Sequence, residues 1–307
     1  MAIKHSLVCD TLSFMGYDVL DEPDLVLGAI KAAGYDGADL PGYSERVDAK
    51  LLKRKVDELG LEVPGVLGAW GYYHAQENRD LAGSGDEVRR NAIEYAKKSL
   101  DQASTFGAQF FEVCAGQPGI PQLPWPVEPV ATLRQRFADA VVEICAHASP
   151  LGITVLLEPL NLYEGYPGVL TTLDEATRFI EDLQLDNLGL QPDCYHMNIG
   201  ETSLPEALRA HGKHARVLHL NESQHRELGS GHIDYRAVVE ALKEVGFSGY
   251  FSIYAPLSTQ EAFQANKGSG YGSAEGAAAR DAARPDLRSV LQRQVEFIKK
   301  IEDEVGI

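Results

Sequence analysis

The sequence predicts a single (β/α)₈ barrel with a long loop after its eighth strand, on three observations. Short apolar runs alternate with longer amphipathic stretches along the whole chain, eight of each, which is the pattern of repeated βα units. Returns from helix to strand are short, as in Ala32-Ala33-Gly34-Tyr35-Asp36-Gly37 and Glu244-Val245-Gly246-Phe247-Ser248-Gly249, where glycine ends the helix and a strand begins within a few residues. The first strand continues as Cys9-Asp10-Thr11-Leu12-Ser13-Phe14, without the glycine-rich phosphate turn expected of an open doubly wound sheet.

The expected strands run from Lys4 to Cys9, Gly37 to Leu40, Val63 to Ala69, Phe110 to Cys114, Thr154 to Glu158, Leu188 to Gln191, Arg216 to Leu220 and Gly249 to Tyr254. Helical periodicity marks Glu22 to Ala33, Asp48 to Leu59, Asp86 to Phe106, Ala131 to Leu151, Thr172 to Asp182, Ser203 to His211, Asp234 to Val245 and Leu287 to Val305. Thr172 with Glu175 three residues on has the form of a helix-starting capping box. The 307 residues suit one barrel domain spanning 1–307. The Gly-, Ala- and Ser-rich stretch 255–285 is the longest irregular one, and its place after the last strand makes it a candidate lid or partner surface. The GSGYG at 268–272 lies inside that stretch and follows no strand, so it reads as loop.

Hydrophobic residues make up 44% of the chain and charged ones 24%, which suits a globular protein with a large core. The formal charge of −17 opposes nucleic acid and anionic membrane surfaces, because such binding draws on Lys and Arg. No run is long and apolar enough for a membrane span or signal peptide, so a cytoplasmic location is expected. Cys9, Cys114, Cys145 and Cys194 form no CxxC pair and are expected as free thiols.

Four expected strands end in a polar residue straight after an apolar run: Glu158, Asp193, His219 and Tyr254. In such barrels the strand ends converge on one mouth and carry the chemistry. Two carboxylates and an imidazole form a hard, oxygen-rich donor set. It points to Mn²⁺, with Mg²⁺, Co²⁺ and Zn²⁺ as alternatives. A divalent cation held by a ketone oxygen and the adjacent hydroxyl stabilises the enediolate formed when the carbon between them loses its proton.

The runs EPLNLYE at 158–164 and LQPDCYHMNIGE at 190–201, and His219 followed by NES, His225-Arg226 and GSGHIDY, resemble the sugar isomerase/epimerase family of xylose isomerase-like barrels. The likeness is greatest to ketose 3-epimerases of the D-tagatose and D-psicose type, and the segment at 78–108 resembles the family's third helix. The resemblance implies that Glu158, Asp193 and His219 are metal ligands, with Glu158 also the general base. It further implies that Glu164, His196 and Arg226 contact substrate hydroxyls. Aromatics expected near the mouth are Phe14, Trp70, Tyr72, Tyr73 and Trp125, of which Trp70 is the first candidate to stack on a sugar ring.

The pattern departs from the family at the last strand. Where the family carries a Glu that is both fourth ligand and second base, in a phrase like ISIEP, this chain reads FSIYAP with Tyr254. A phenol with an ordinary pKa of ~10 is a poor base compared with Glu at ~4.3. Tyr254 could donate a proton, the cation could use three protein ligands and water, or Gln191 could take the open position. The expected function is therefore a metal-dependent carbohydrate isomerase or epimerase that abstracts a proton beside a ketone of a small sugar-like substrate. The alternatives are a one-base lyase, of the inosose dehydratase or C-glycoside deglycosidase type, and an impaired sugar-binding barrel. A homo-oligomer or a second subunit is a further expectation.

Overall fold

In the computed structural model the residues described are 3–43, 45, 47–67, 79–83, 85–116, 128–256 and 284–307. Eight strands form one parallel sheet: β1 (Lys4–Val8), β2 (Gly37–Pro41), β3 (Gly65–Leu67), β4 (Phe110–Val113), β5 (Thr154–Leu157), β6 (Leu188–Leu190), β7 (Val217–Leu220) and β8 (Tyr250–Tyr254). Their order is β6-β5-β4-β3-β2-β1-β8-β7. The remaining edge closes through single parallel bridges, Leu190 to Ala215 and Asp193 to His219. Every expected strand is present, within one or two residues at its described ends. The loop expected at 255–285 lies mostly outside the described residues.

The helices are α1 (Pro23–Ala33), α2 (Ala49–Leu59), α3 (Asp86–Phe106), α4 (Val130–Ala148), α5 (Leu173–Leu183), α6 (Cys194–Gly200), α7 (Leu204–His211), α8 (Tyr235–Glu244) and α9 (Leu287–Val305). Their starts follow the side chains that satisfy free N–H groups: Asp48 accepts from the Leu51 amide at 2.9 Å and Thr172 from Glu175 at 3.2 Å, each worth about 1 kcal/mol. Sequence periodicity missed three short elements among the described residues, α6 and the 3-10 turns Cys9–Met15 and Gly212–His214. All are too brief to show a period. The fourth helix also stops at Ala148 and finishes as a 3-10 turn, Ser149–Leu151, because Pro150 supplies no N–H.

The helices bury their apolar stripes on the outside of the sheet, with Leu27, Ile30, Leu100, Phe106, Phe137 and Phe179 all nearly inaccessible to water. Two glycines make the tight returns. At Gly37 an added Cβ would lie 2.8 Å from the Glu62 carbonyl oxygen, and at Gly249 it would lie 1.8 Å from that of Arg216. The second contact is backbone and cannot yield cheaply. Gly249→Ala is expected to cost about 3 kcal/mol through overpacking, read as a lowered urea midpoint with an unchanged slope.

The inside of the barrel departs from the usual filling of branched apolar side chains. Asp39 on β2 accepts hydrogen bonds from Ser6 of β1 and Ser252 of β8, each at 2.6 Å, and from the Gly65 amide at 2.8 Å. Glu112 of β4 and His219 of β7 are also buried. Asp39, Glu112, Gln191 and His219 line a small void. A polar column therefore runs along the barrel beneath its mouth.

Candidate active site

The backbone fixes the site residues before their side chains act. One step past β5 and β6 the sheet ladder continues, the amide of Glu158 donating to Val113 and that of Gln191 to Leu157, and within β7 the amide of His219 donates to Pro192, each at 2.9 Å. Three side chains are thus held on a rigid rim. Asp193 is the N-cap of α6, and its Oδ1 accepts from the Tyr195 and His196 amides at 2.6 and 3.1 Å. Its Oδ2 is buried and has no hydrogen-bond partner.

That orphaned oxygen faces His219. Nδ1 of His219 lies 3.7 Å from Asp193 Oδ2 and 2.9 Å from Glu158 Oε1. These separations suit donor atoms arranged around one small cation. All three residues are at most 2% exposed, and among the described residues no Lys or Arg forms an ion pair with them. Burial pushes the Glu158 carboxyl well up, with the Asp193 charge adding to it. Burial likewise raises Asp193 to about 6 against the pull of His219 and of the amides it caps. Buried carboxylates so placed need a proton or a cation.

The imidazole also meets Gln191, whose side-chain amide nitrogen lies 3.0 Å from His219 Nε2, 3.5 Å from Nδ1 and 3.0 Å from Glu112 Oε2. Gln191 therefore lies against the ring and ties it to Glu112. Tyr254 does point into the site: its hydroxyl is 3.4 Å from His219 Nδ1, and the two rings meet edge to face with centroids 5.0 Å apart. Burial, then the charges of Glu158, Asp193 and Glu112, holds its phenol well above the ordinary value.

A second cluster flanks the first. Nδ1 of His196 accepts from the Asn161 amide at 3.1 Å. A neutral ring that accepts at Nδ1 carries its proton on Nε2, and burial, with His225 and His219, lowers this group to about 3. His196 is therefore a neutral donor. It is a poor ligand, although its ring lies within reach of Glu158 and Asp193. Glu164 is buried and receives the Asn161 side-chain amide at 2.9 Å.

His225 takes a left-handed backbone, φ 54°, which lays its ring over Tyr195 with centroids 4.0 Å apart. Phe14 meets His225 edge-on at 6.0 Å. Arg226 next to it is exposed. Trp70, Tyr72, Tyr73 and Trp125 lie outside the described residues. Glu222, in the NES run, is fully buried and accepts from the Ser223 and Gly229 amides at 2.8 and 3.0 Å, so it shapes the loop after β7.

Sequence reasoning passed over Glu112, Gln191 as a ring support, Asn161, Tyr195 and His225. Glu112 had a usable signal, a lone carboxylate within the apolar run Phe110-Phe111-Glu112-Val113. Two overlapping groups of donors could hold a cation, Glu112 with Glu158 and His219, and Glu158 with Asp193 and His196, and Asp193 Oδ2 stands 3.7 Å from His219 Nδ1 between them.

The sequence matches the xylose isomerase-like TIM barrel family over residues 27–282. It is 29% identical over 223 residues to a ketose 3-epimerase of Arthrobacter globiformis, covering 71% of this chain and 72% of that protein. It is 26% identical over 244 residues to the 3-dehydro-D-guloside 4-epimerase of Escherichia coli strain K12, covering 78% of this chain and 89% of that one. The solved structure of an L-ribulose 3-epimerase superposes with a TM-score of 0.78 at 22% identity, covering 99% of this chain and 96% of its own. Both of these sequence relatives are epimerases, and the structural likeness supports the same barrel. With the match spanning most of its length, the chain belongs to the xylose isomerase-like TIM barrel family.

Proposed function

We propose that this chain is a metal-dependent epimerase that inverts the carbon beside the ketone of a sugar or sugar derivative. The carrying observation is the buried, carboxylate-rich rim, in which His219 Nδ1 lies 2.9 Å from Glu158 Oε1 and 3.7 Å from the unpartnered Asp193 Oδ2, and Glu158 belongs to both groups of donors that could hold a cation. The oxygen-rich set favours Mn²⁺ among the divalent ions. When bound, the ion would stabilise negative charge on adjacent ketone and hydroxyl oxygens as the carbon between them is deprotonated.

Glu158 takes that proton. His196, with its proton on Nε2, donates to a substrate oxygen, and Glu164 accepts from a hydroxyl while Asn161 holds it in place. Arg226, exposed after β7, and Trp70 supply outer contacts. Four buried, unpaired cysteines accord with a reducing compartment such as the cytoplasm. Among the described residues no helix is long and apolar enough to cross a membrane. The epimerase relatives favour inversion over elimination.

The test is proton NMR of the Mn²⁺-loaded protein in D₂O with a panel of ketohexoses and 3-oxo-glucosides. Loss of the hydrogen beside the ketone, with a new epimer growing in, is the expected outcome. A panel with neither exchange nor product would overturn the reading.

A further inference from the structure

Inversion needs a proton removed from one face of a carbon and one returned to the other, yet the described site holds one evident base. We propose that Asp10 is the second acid/base, acting on the face of the substrate opposite Glu158. This assignment rests on the epimerase reading above.

The barrel's geometry carries it. With eight strands in the order β6-β5-β4-β3-β2-β1-β8-β7, β1 and β5 stand four strands apart in either direction, on opposite sides of the mouth. Glu158 follows β5 and Asp10 follows β1. Inward positions on a strand alternate: Ser6 meets Asp39 and Ser252 inside the barrel, Val8 is the next inward position and ends the strand, and Asp10 stands in the 3-10 turn that begins directly above it. Val8 pairs with Tyr254. Asp10 therefore rises beside the position where the family's second carboxylate would stand.

The turn that holds Asp10 is tied down. Thr11 Oγ1 accepts from the Ala255 amide at 2.8 Å and donates to the Val8 carbonyl at 2.7 Å, while Ser13 Oγ donates to the Asp10 carbonyl at 2.9 Å. Both carboxyl oxygens of Asp10 are buried and neither has a hydrogen-bond partner. Buried polar atoms without partners are rare in folded proteins and call for a reason. Burial raises this carboxyl to about 8, and the charges of Glu112, Asp18 and Asp39 add to it. Glu112 and Asp39, whose charges reach it, line the barrel interior.

Competing groups are worse placed. Glu112 is bound to Gln191 beside the His219 ring, and the Tyr254 hydroxyl is directed at His219 Nδ1. The step balances: Glu158 gains the proton from carbon, the bonding pair becomes the enediolate, and the Asp10 O–H proton forms the new C–H bond on the opposite face. Glu158 ends protonated and Asp10 ionised. Exchange with solvent resets both.

The test uses the full-length Mn²⁺-loaded chain and the ketose that the unsubstituted protein turns over fastest in D₂O. Asp10→Asn is expected to keep deuterium exchange into recovered substrate while epimer formation falls by roughly 100-fold or more. Unchanged epimerisation overturns the proposal, and so does equal loss of both. A second readout uses chain labelled with ¹³C at aspartate carboxyls: infrared difference spectra should show a protonated carboxyl band that moves on adding the ketose and is missing in Asp10→Asn. A band that the ketose leaves unmoved overturns the assignment even if the variant folds poorly. Absence of both exchange and epimer in the unsubstituted chain instead overturns the epimerase reading, and the role of Asp10 with it.

Discussion

Glu158→Gln is expected to lower turnover by about 10³-fold or more, the scale of a lost general base, while the barrel stays folded. The amide keeps the volume of the carboxyl, and the backbone amide of residue 158 stays bonded to Val113. The carboxylate has two proposed duties, and one experiment separates them. Hydrogen exchange beside the ketone reports proton abstraction, and titration with Mn²⁺ followed by electron paramagnetic resonance reports ion affinity. Loss of exchange with a much smaller loss of affinity would place the residue chiefly as the base. Undiminished exchange would remove it from the mechanism.

The same substitution carries a structural signature that a purely catalytic residue would lack. Glu158 sits against Asp193 and Glu112 with its charge desolvated, so its ionised form costs the metal-free protein stability. Removing the charge relieves that cost. Metal-free Glu158→Gln should therefore melt no lower than the metal-free parent, even as the gain from added Mn²⁺ shrinks. An active-site carboxylate that weakens the empty fold is what a built cation site requires.

Much of this was legible in the sequence for physical reasons. Alternation of apolar runs with amphipathic stretches reports burial directly, and the eight strands and the long helices followed from it. Polar residues after apolar runs marked Glu158, Asp193, His219 and Tyr254, because strand ends in a barrel share one mouth. The rule also applied to Asp10, where Ser6-Leu7-Val8-Cys9 ends in a carboxylate. It was overlooked since no family motif surrounds it. What the sequence could not disclose was pairing across the barrel: that Glu112 lies beside His219, that Gln191 supports the ring, that Asn161 sets the tautomer of His196. Those contacts join residues 28 or more positions apart, and only closure of the sheet brings them together. His225 was hidden differently, since a left-handed residue in a loop leaves no period.

Removing the divalent ion is expected to reverse how stability depends on pH. Asp193 titrates at about 6 and Asp10 at about 8 in the fold, against an ordinary value of about 3.9. The folded, metal-free chain then holds these protons more tightly than the unfolded one, so their contribution is fully present at acid pH and is lost as pH rises through the folded values. The Asp193 share is lost by about pH 6 and the Asp10 share by about 8, so between about pH 6 and 8, where surface carboxylates are already ionised, the chelator-treated protein should melt progressively lower through Asp10. Binding of Mn²⁺ prefers the ionised ligands and releases protons, so loaded protein should gain from the same rise. A free ion concentration about 100 times Kd would add about 2.7 kcal/mol, a shift of several degrees. Asp193→Asn should abolish most of that gain while its amide oxygen still caps α6, whereas Asp193→Ala should forfeit about 1 kcal/mol more through the lost cap. Calorimetry of the three proteins at pH 6 and 8 decides it, and a metal-free melting point that stays level or climbs over that range would mean the Asp10 carboxyl is not held protonated by burial.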